Sequence, residues 1–180
     1  RSGFGDTSEA LYLNSGFPYV DAQEALDSFT DETDHFLYSR FHNPTVAMFE
    51  KRLAAIEGAE HCVATGSGMA AMFASLACIV EAGDHVVASA AMFSSCHVVI
   101  TEILPKWGVT YELVKANDKE AWKKALSKPT KAVFIETPSN PLLEIVDIKF
   151  VSDLAHQVGA TVIVDNVMAS PLLQKPLELG

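Results

Sequence analysis

Five stretches of this sequence combine residue types that could do chemistry on an anion or a flat ring. In "VIVDN" (Val162–Asn166), Asp165 ends an apolar strand pattern. A buried carboxylate is costly unless a cation or hydrogen-bond donors meet it, and a protonated pyridine nitrogen is one such cation. A solvated strand-end Asp or a helix cap is the plainer reading. In "ATGSGMAAM" (Ala64–Met72), a glycine-rich turn runs from a strand pattern into a helix pattern. Gly66 and Gly68 would let the backbone come close to a ligand, and a helix N-terminus offers free N–H groups to a phosphate. The turn is neither GxGxxG nor a Walker loop, and a tight structural turn explains it equally.

"ETPSNPLLE" (Glu136–Glu144) also follows a strand pattern, with two prolines and the polar groups of Thr137, Ser139 and Asn140. It reads as a site loop or as a rigid turn with Asn chosen for its backbone. In "AMFSSCHVV" (Ala91–Val99), Phe93 leaves a strand and could stack on a ring, or sit in the core as most phenylalanines do. Cys96 and His97 are adjacent, which is poor spacing for metal ligands. In "YSRFHNPT" (Tyr38–Thr45), Tyr38 and Arg40 share a side if the segment is extended. Arg40 is one of three arginines, and a guanidinium recognises phosphate well.

The elements that must position these residues alternate. Residues 1–37 have little period and read as an irregular arm, with a turn at Ser15–Tyr19. Asn43 and Pro44 make a helix start, Val46, Phe49, Leu53 and Ile56 recur at helical spacing, and Gly58 makes a stop. Strands are expected at 61–65, 85–89, 109–114, 131–136 and 160–165. Helices are expected at 68–81, 95–106, 118–127 and 147–158. Alternation with continuous apolar strands predicts an α/β fold with a mostly parallel, buried sheet. Ligands of such sheets sit beyond the carboxyl ends of the strands, where four of the five stretches lie.

The bulk properties fit one packed domain: 180 residues, 49% hydrophobic and 20% charged. A formal charge of −10 argues against a general affinity for nucleic acid or an anionic membrane, so an anion site must be built locally. Three cysteines without a CxxC fit a reducing cytosol rather than a disulfide framework or a zinc site. The longest apolar stretch, Met69–Val80, is too short to span a bilayer. The chain starts at Arg1 and stops at "PLELG", which reads as part of a longer polypeptide.

The order of the motifs "YSRFHNPT", "GSGMAA", "ETPSNPLL" and "VDN" resembles the cystathionine γ-synthase/γ-lyase group of pyridoxal-phosphate enzymes, the Cys/Met metabolism family, over essentially the whole chain. "MFSSCHVV" and "ILPKWG" look most like its O-succinylhomoserine sulfhydrylase branch. The resemblance implies a fold-type I (aspartate aminotransferase-like) large domain over 43–180, in part, behind an N-terminal arm over 1–42.

It further implies pyridoxal 5'-phosphate as cofactor. Ser67, Gly68 and Met69 would hold the phosphate, and Tyr38 and Arg40 would reach it from a neighbouring subunit of a dimer or tetramer. Phe93 would stack on the ring, and Asn140 would hold its hydroxyl side. Asp165 would pair with the ring nitrogen, and Glu136 would stand behind as a further polar group. Asp165 and Phe93 are the implied catalytic positions.

The implied activity is γ-replacement on an O-acylhomoserine with sulfide or a thiol, giving homocysteine or a thioether, in a cytoplasmic enzyme of methionine and cysteine metabolism. Cystathionine γ-synthase, cystathionine γ-lyase and methionine γ-lyase activities are alternatives. From other classes come a nucleotide-binding domain, which should show a full dinucleotide fingerprint, and a truncated non-catalytic fragment. Two departures stand out. Phe93 lacks the phenol of γ-lyase-like relatives. The family's Schiff-base lysine falls beyond Gly180, since Lys175 lacks its Ser-x-x-Lys context, and so does its carboxylate-binding arginine.

Overall fold

A computed structural model describes residues 5–30 and 32–180. Residues 1–4 and 31, which the expected arm includes, lie outside the described residues. The chain divides into two compact units, one ending at Ala64 and the other spanning Thr65–Gly180.

The first unit is irregular apart from two helices. The sequence reading misses α1 (Ala22–Phe29). Its start is a reciprocal cap: the Asp21 carboxylate accepts the Glu24 N–H at 2.8 Å, and the Glu24 carboxylate accepts the N–H of Val20. The Asp-x-x-Glu spacing at 21–24 was the available signal. The expected second helix is α2 (Pro44–Glu57), with the Asn43 side chain accepting the Thr45 N–H and Gly58 closing it at φ 72°. Only the left-handed region allows that closure, which is why glycine stands there. Asn43 also donates to the Tyr12 carbonyl at 3.0 Å and to Ser39 Oγ at 2.9 Å, tying the arm to the helix start.

The second unit is built on a four-stranded parallel sheet. Its strands are β1 (His85–Ser89), β2 (Thr110–Val114), β3 (Ala132–Glu136) and β4 (Thr161–Asp165), in the order β2-β1-β3-β4. The helices are α3 (Gly68–Ala77), α4 (Ser94–Val98), α5 (Lys119–Ala125), α6 (Ile148–Gln157) and the short α7 (Ser170–Leu173). Side-chain alternation splits the core in two. Val87, Val133 and Ile135 pack with Trp122 and Val151 of α5 and α6. Val86, Ala88 and Phe134 pack with Leu76 of α3 and Cys96 of α4. Helix, sheet and helix thus form the layers of an α/β fold.

Two expected elements differ. The stretch 61–65 is not a strand, because a strand needs a ladder and no other strand pairs with it among the described residues. Instead the Ala64 N–H donates to the Glu50 carboxylate at 2.7 Å. The helix expected over 95–106 is three pieces: α4, a π-helical turn at Val99–Ile103 and a 3-10 turn at Leu104–Trp107. Pro105 has no N–H to continue an α-helix and its ring crowds the preceding turn. Among the described residues no helix is long and apolar enough to cross a membrane.

Candidate active site

The strand order sets the site. From β1 the chain passes to β2 on one side, whereas β3 lies on the other. The loops leaving β1 and β3 therefore part at the topological switch point, where such sheets open a crevice. A cavity of about 490 Å³ lies there, lined by Gly68, Phe93, Glu136, Asn140 and Asp165 among others.

One wall is the start of α3. Ser67 is its N-cap, and its hydroxyl accepts the Ala70 N–H at 3.1 Å. The first helical N–H groups, at Gly68 and Met69, have no acceptor within a helix by its geometry. Gly66 and Gly68 do not adopt a left-handed backbone, and a Cβ on either would meet no atom of the chain within 4 Å. Neither turn conformation nor internal packing accounts for glycine, and the open space in front of the turn is what a side chain would fill.

The loop leaving β1 carries Phe93. Phe93 is 38% exposed and lines the cavity rather than the core. The loop leaving β3 holds cis peptide bonds at Thr137–Pro138 and Asn140–Pro141. It is pinned by buried hydroxyls: Ser139 Oγ accepts the Glu144 N–H and Thr137 Oγ1 accepts the Val146 N–H, both at 3.0 Å. Asn140, half-buried, lines the cavity from this loop.

The far wall is acidic. Glu136 and Asp165 are register partners at the ends of β3 and β4. Each follows the parity of an inner residue, Phe134 and Ile163, that packs on the α3 and α4 side. Both carboxylates therefore face the cavity. Asp165 accepts the Val167 N–H at 3.1 Å. Glu136 is 1% exposed. Its Oε1 accepts the Asn140 N–H at 2.8 Å and its Oε2 accepts the Phe93 N–H. Burial pushes the Glu136 carboxyl above the usual carboxylate range, and the Asp165 charge adds to the push. Burial also raises the Cys96 thiol to about 11, with Asp165 and Glu136 contributing, so Cys96 is an inert thiol against Met69. Among the described residues no Lys or Arg lines the cavity.

The structure thus brings Gly68, Met69, Phe93, Asn140 and Asp165 to one cavity, with Ser67 capping the helix that faces it. Tyr38 and Arg40 belong to the first unit. Their segment is a turn rather than extended, the Tyr38 carbonyl accepting the N–H groups of Phe41 and His42 at 2.9 and 3.1 Å. The turn still gathers them: the Arg40 guanidinium lies 4.4 Å from the centre of the Phe41 ring and 5.7 Å from that of Tyr38. Arg40 is exposed and forms no ion pair among the described residues.

Sequence reading missed the support behind the site. Gln174 donates to the Thr137 carbonyl at 2.7 Å and to Asn166 Oδ1 at 2.8 Å, joining the exits of β3 and β4. Such long-range bonds leave no local pattern. Glu136 entered the sequence reading only through the resemblance, as a further polar group, and its two backbone donors come from distant loops.

The family model of Cys/Met metabolism PLP-dependent enzymes matches residues 1–180. The chain is 54% identical over 180 residues to an O-succinylhomoserine sulfhydrylase of Mycobacterium tuberculosis, covering 100% of this chain and 44% of that protein. It is 37% identical to an L-methionine gamma-lyase of Fusobacterium nucleatum, covering 98% of this chain and 45% of that one. A solved structure from Campylobacter jejuni, described with N'-pyridoxyl-lysine-5'-monophosphate, superposes with a TM-score of 0.92 at 29% identity, covering 99% of this chain and 44% of that one. The chain therefore spans under half the length of the relatives it matches.

Proposed function

This chain belongs to the Cys/Met metabolism PLP-dependent enzyme family, and on that premise we propose that the protein catalyses γ-replacement on an O-acylhomoserine. Sulfide or a thiol is the incoming nucleophile, and homocysteine or a thioether is the product. The observation that carries the site reading is that a helix start, two loops and a strand end deliver Gly68, Phe93, Asn140 and Asp165 to one cavity at the switch point. The choice of an acylhomoserine is supported by the sulfhydrylase relative at 54% identity against the γ-lyase at 37%.

The residues fit pyridoxal phosphate at both ends. The α3 N-terminus presents N–H groups and a positive dipole end, and the cradle before Gly66 and Gly68 is open, as a phosphate requires. The opposite wall carries two carboxylates and no basic side chain, which suits a protonated ring nitrogen. When bound, the cofactor supplies an electron sink for negative charge developing on the substrate's carbon atoms. Asp165 holds the proton on the ring nitrogen. Phe93 would stack on the ring, and it has no phenol to offer a leaving group as an acid. Asn140 would donate to the ring's hydroxyl oxygen. Tyr38 and Arg40 reach the phosphate of a neighbouring copy, for which the exposed Arg40 guanidinium, in no ion pair among the described residues, is available. The protein acts in the cytoplasm as a dimer or tetramer.

A direct assay of the cofactor-loaded protein decides the reaction. With O-succinyl- or O-acetylhomoserine plus sulfide, homocysteine formation is expected to exceed keto-acid release from methionine or cystathionine. The reverse order would overturn the γ-replacement reading and favour a γ-lyase.

A further inference from the structure

Glu136 is one of the most deeply buried charged side chains among the described residues, and the only groups donating to it are main-chain N–H groups. The two donors come from different loops. Phe93 lies after β1 and Asn140 after β3, on either side of the crevice. Asp165 faces the carboxyl from β4 and Cys96 from α4, and neither offers it a positive charge. A buried carboxylate in such company is a burden on the fold that an apolar residue would not impose. Its geometry gives it a use. An ionised carboxylate is acceptor-only at both oxygens, so it can hold two N–H groups at once, whereas an amide of the same shape accepts at one end and opposes the second N–H with its own NH₂.

We propose that Glu136 is a positioning residue: its two oxygens fasten the Phe93 loop to the Asn140 loop across the cavity and so set the width of the slot that receives a flat ring. The proposal rests on the pyridoxal-phosphate reading for the identity of that ring. Protonation puts a hydrogen on one oxygen and weakens its hold on one loop, so the fastener loosens locally as pH falls through the raised Glu136 value, although burial itself favours the protonated form.

The test compares the purified protein with Glu136→Gln and Glu136→Asp variants by amide hydrogen exchange, thermal melting and retention of added pyridoxal phosphate. In Glu136→Gln, protection at one of the two amides, Phe93 or Asn140, is expected to fall roughly tenfold or more, the equivalent of one charge-assisted hydrogen bond. Cofactor release should quicken while the melting temperature stays near wild type, a split that a merely space-filling Glu136 would not produce. Glu136→Asp, which keeps both acceptors, should recover part of the protection.

Wild-type protection at both amides in Glu136→Gln would overturn the proposal. If the variants do not fold, the wild-type protein still decides. Acidification should lower protection at Phe93 or Asn140 ahead of the rest of the sheet, and uniform loss would count against the fastener. Failure of the wild-type protein to retain pyridoxal phosphate would sink the cofactor reading instead, leaving the exchange result to judge Glu136 alone.

Discussion

Glu136 and Asp165 are neighbours in register, yet their surroundings give them different work. Glu136 is sealed and saturated by backbone donors, while Asp165 is half-buried and meets the cavity. The raised Glu136 value has a definite sign for stability. Its contribution is fully present below the ordinary carboxylate range and is lost as pH rises through the raised value. Ionising Glu136 therefore costs the fold stability, as expected of a carboxylate in a sealed, uncharged setting. Asp165 should behave otherwise. Asp165→Asn keeps the shape and an acceptor for the Val167 N–H but gives up the charge proposed to hold a proton on a ring nitrogen. Its kcat is expected to fall roughly a hundredfold or more, the scale seen when one aligned electrostatic group is removed. A thermal melt should show the fold retained. Near-normal turnover would remove Asp165 from the mechanism.

At the scale of elements, α3 packs at one end, and binding is proposed for the other. Leu76, fully buried, anchors its C-terminal half to the sheet, and Ser67 organises its open N-terminus. The two roles can be separated. Ser67→Ala removes the cap and should cost about 1 kcal/mol in a denaturation experiment. Ser67→Asp restores a capping acceptor but sets a negative charge beside the proposed phosphate. It should recover the stability while retaining pyridoxal phosphate more weakly than wild type. Equal retention by Ser67→Asp and wild type would mean that the phosphate lies elsewhere. The broken helix after β1 is also an element-scale result. The periodicity of 95–106 is helical, but Pro105 interrupts it, and π and 3-10 turns stand where an unbroken helix was expected.

At the scale of the molecule, the proposed clamp of Tyr38 and Arg40 concerns two copies rather than one. Arg40→Ala and Asp165→Asn subunits should each be nearly inactive alone. If Arg40 serves the neighbour's cavity, a mixed dimer has one intact site and one doubly defective site. Random mixing of equal amounts of a two-fold dimer should then restore about a quarter of the sites. Measuring activity after co-refolding the two variants checks this, and no recovery would place Arg40 in its own subunit's site or in none.

The sequence by itself determined the alternation of strands and helices, the capped start at Asn43, and the candidates Asp165, Asn140 and Gly68. These rest on short-range physics: periodicity, caps and the residues that follow strands. Tertiary structure alone decided that Phe93 leaves the core for the cavity and that 61–65 pairs with no strand among the described residues. It also decided that Gln174 braces two strand exits and that Glu136 joins two loops. Each depends on partners distant in the chain, whose meeting is set by strand order and register, and local pattern carries no record of those.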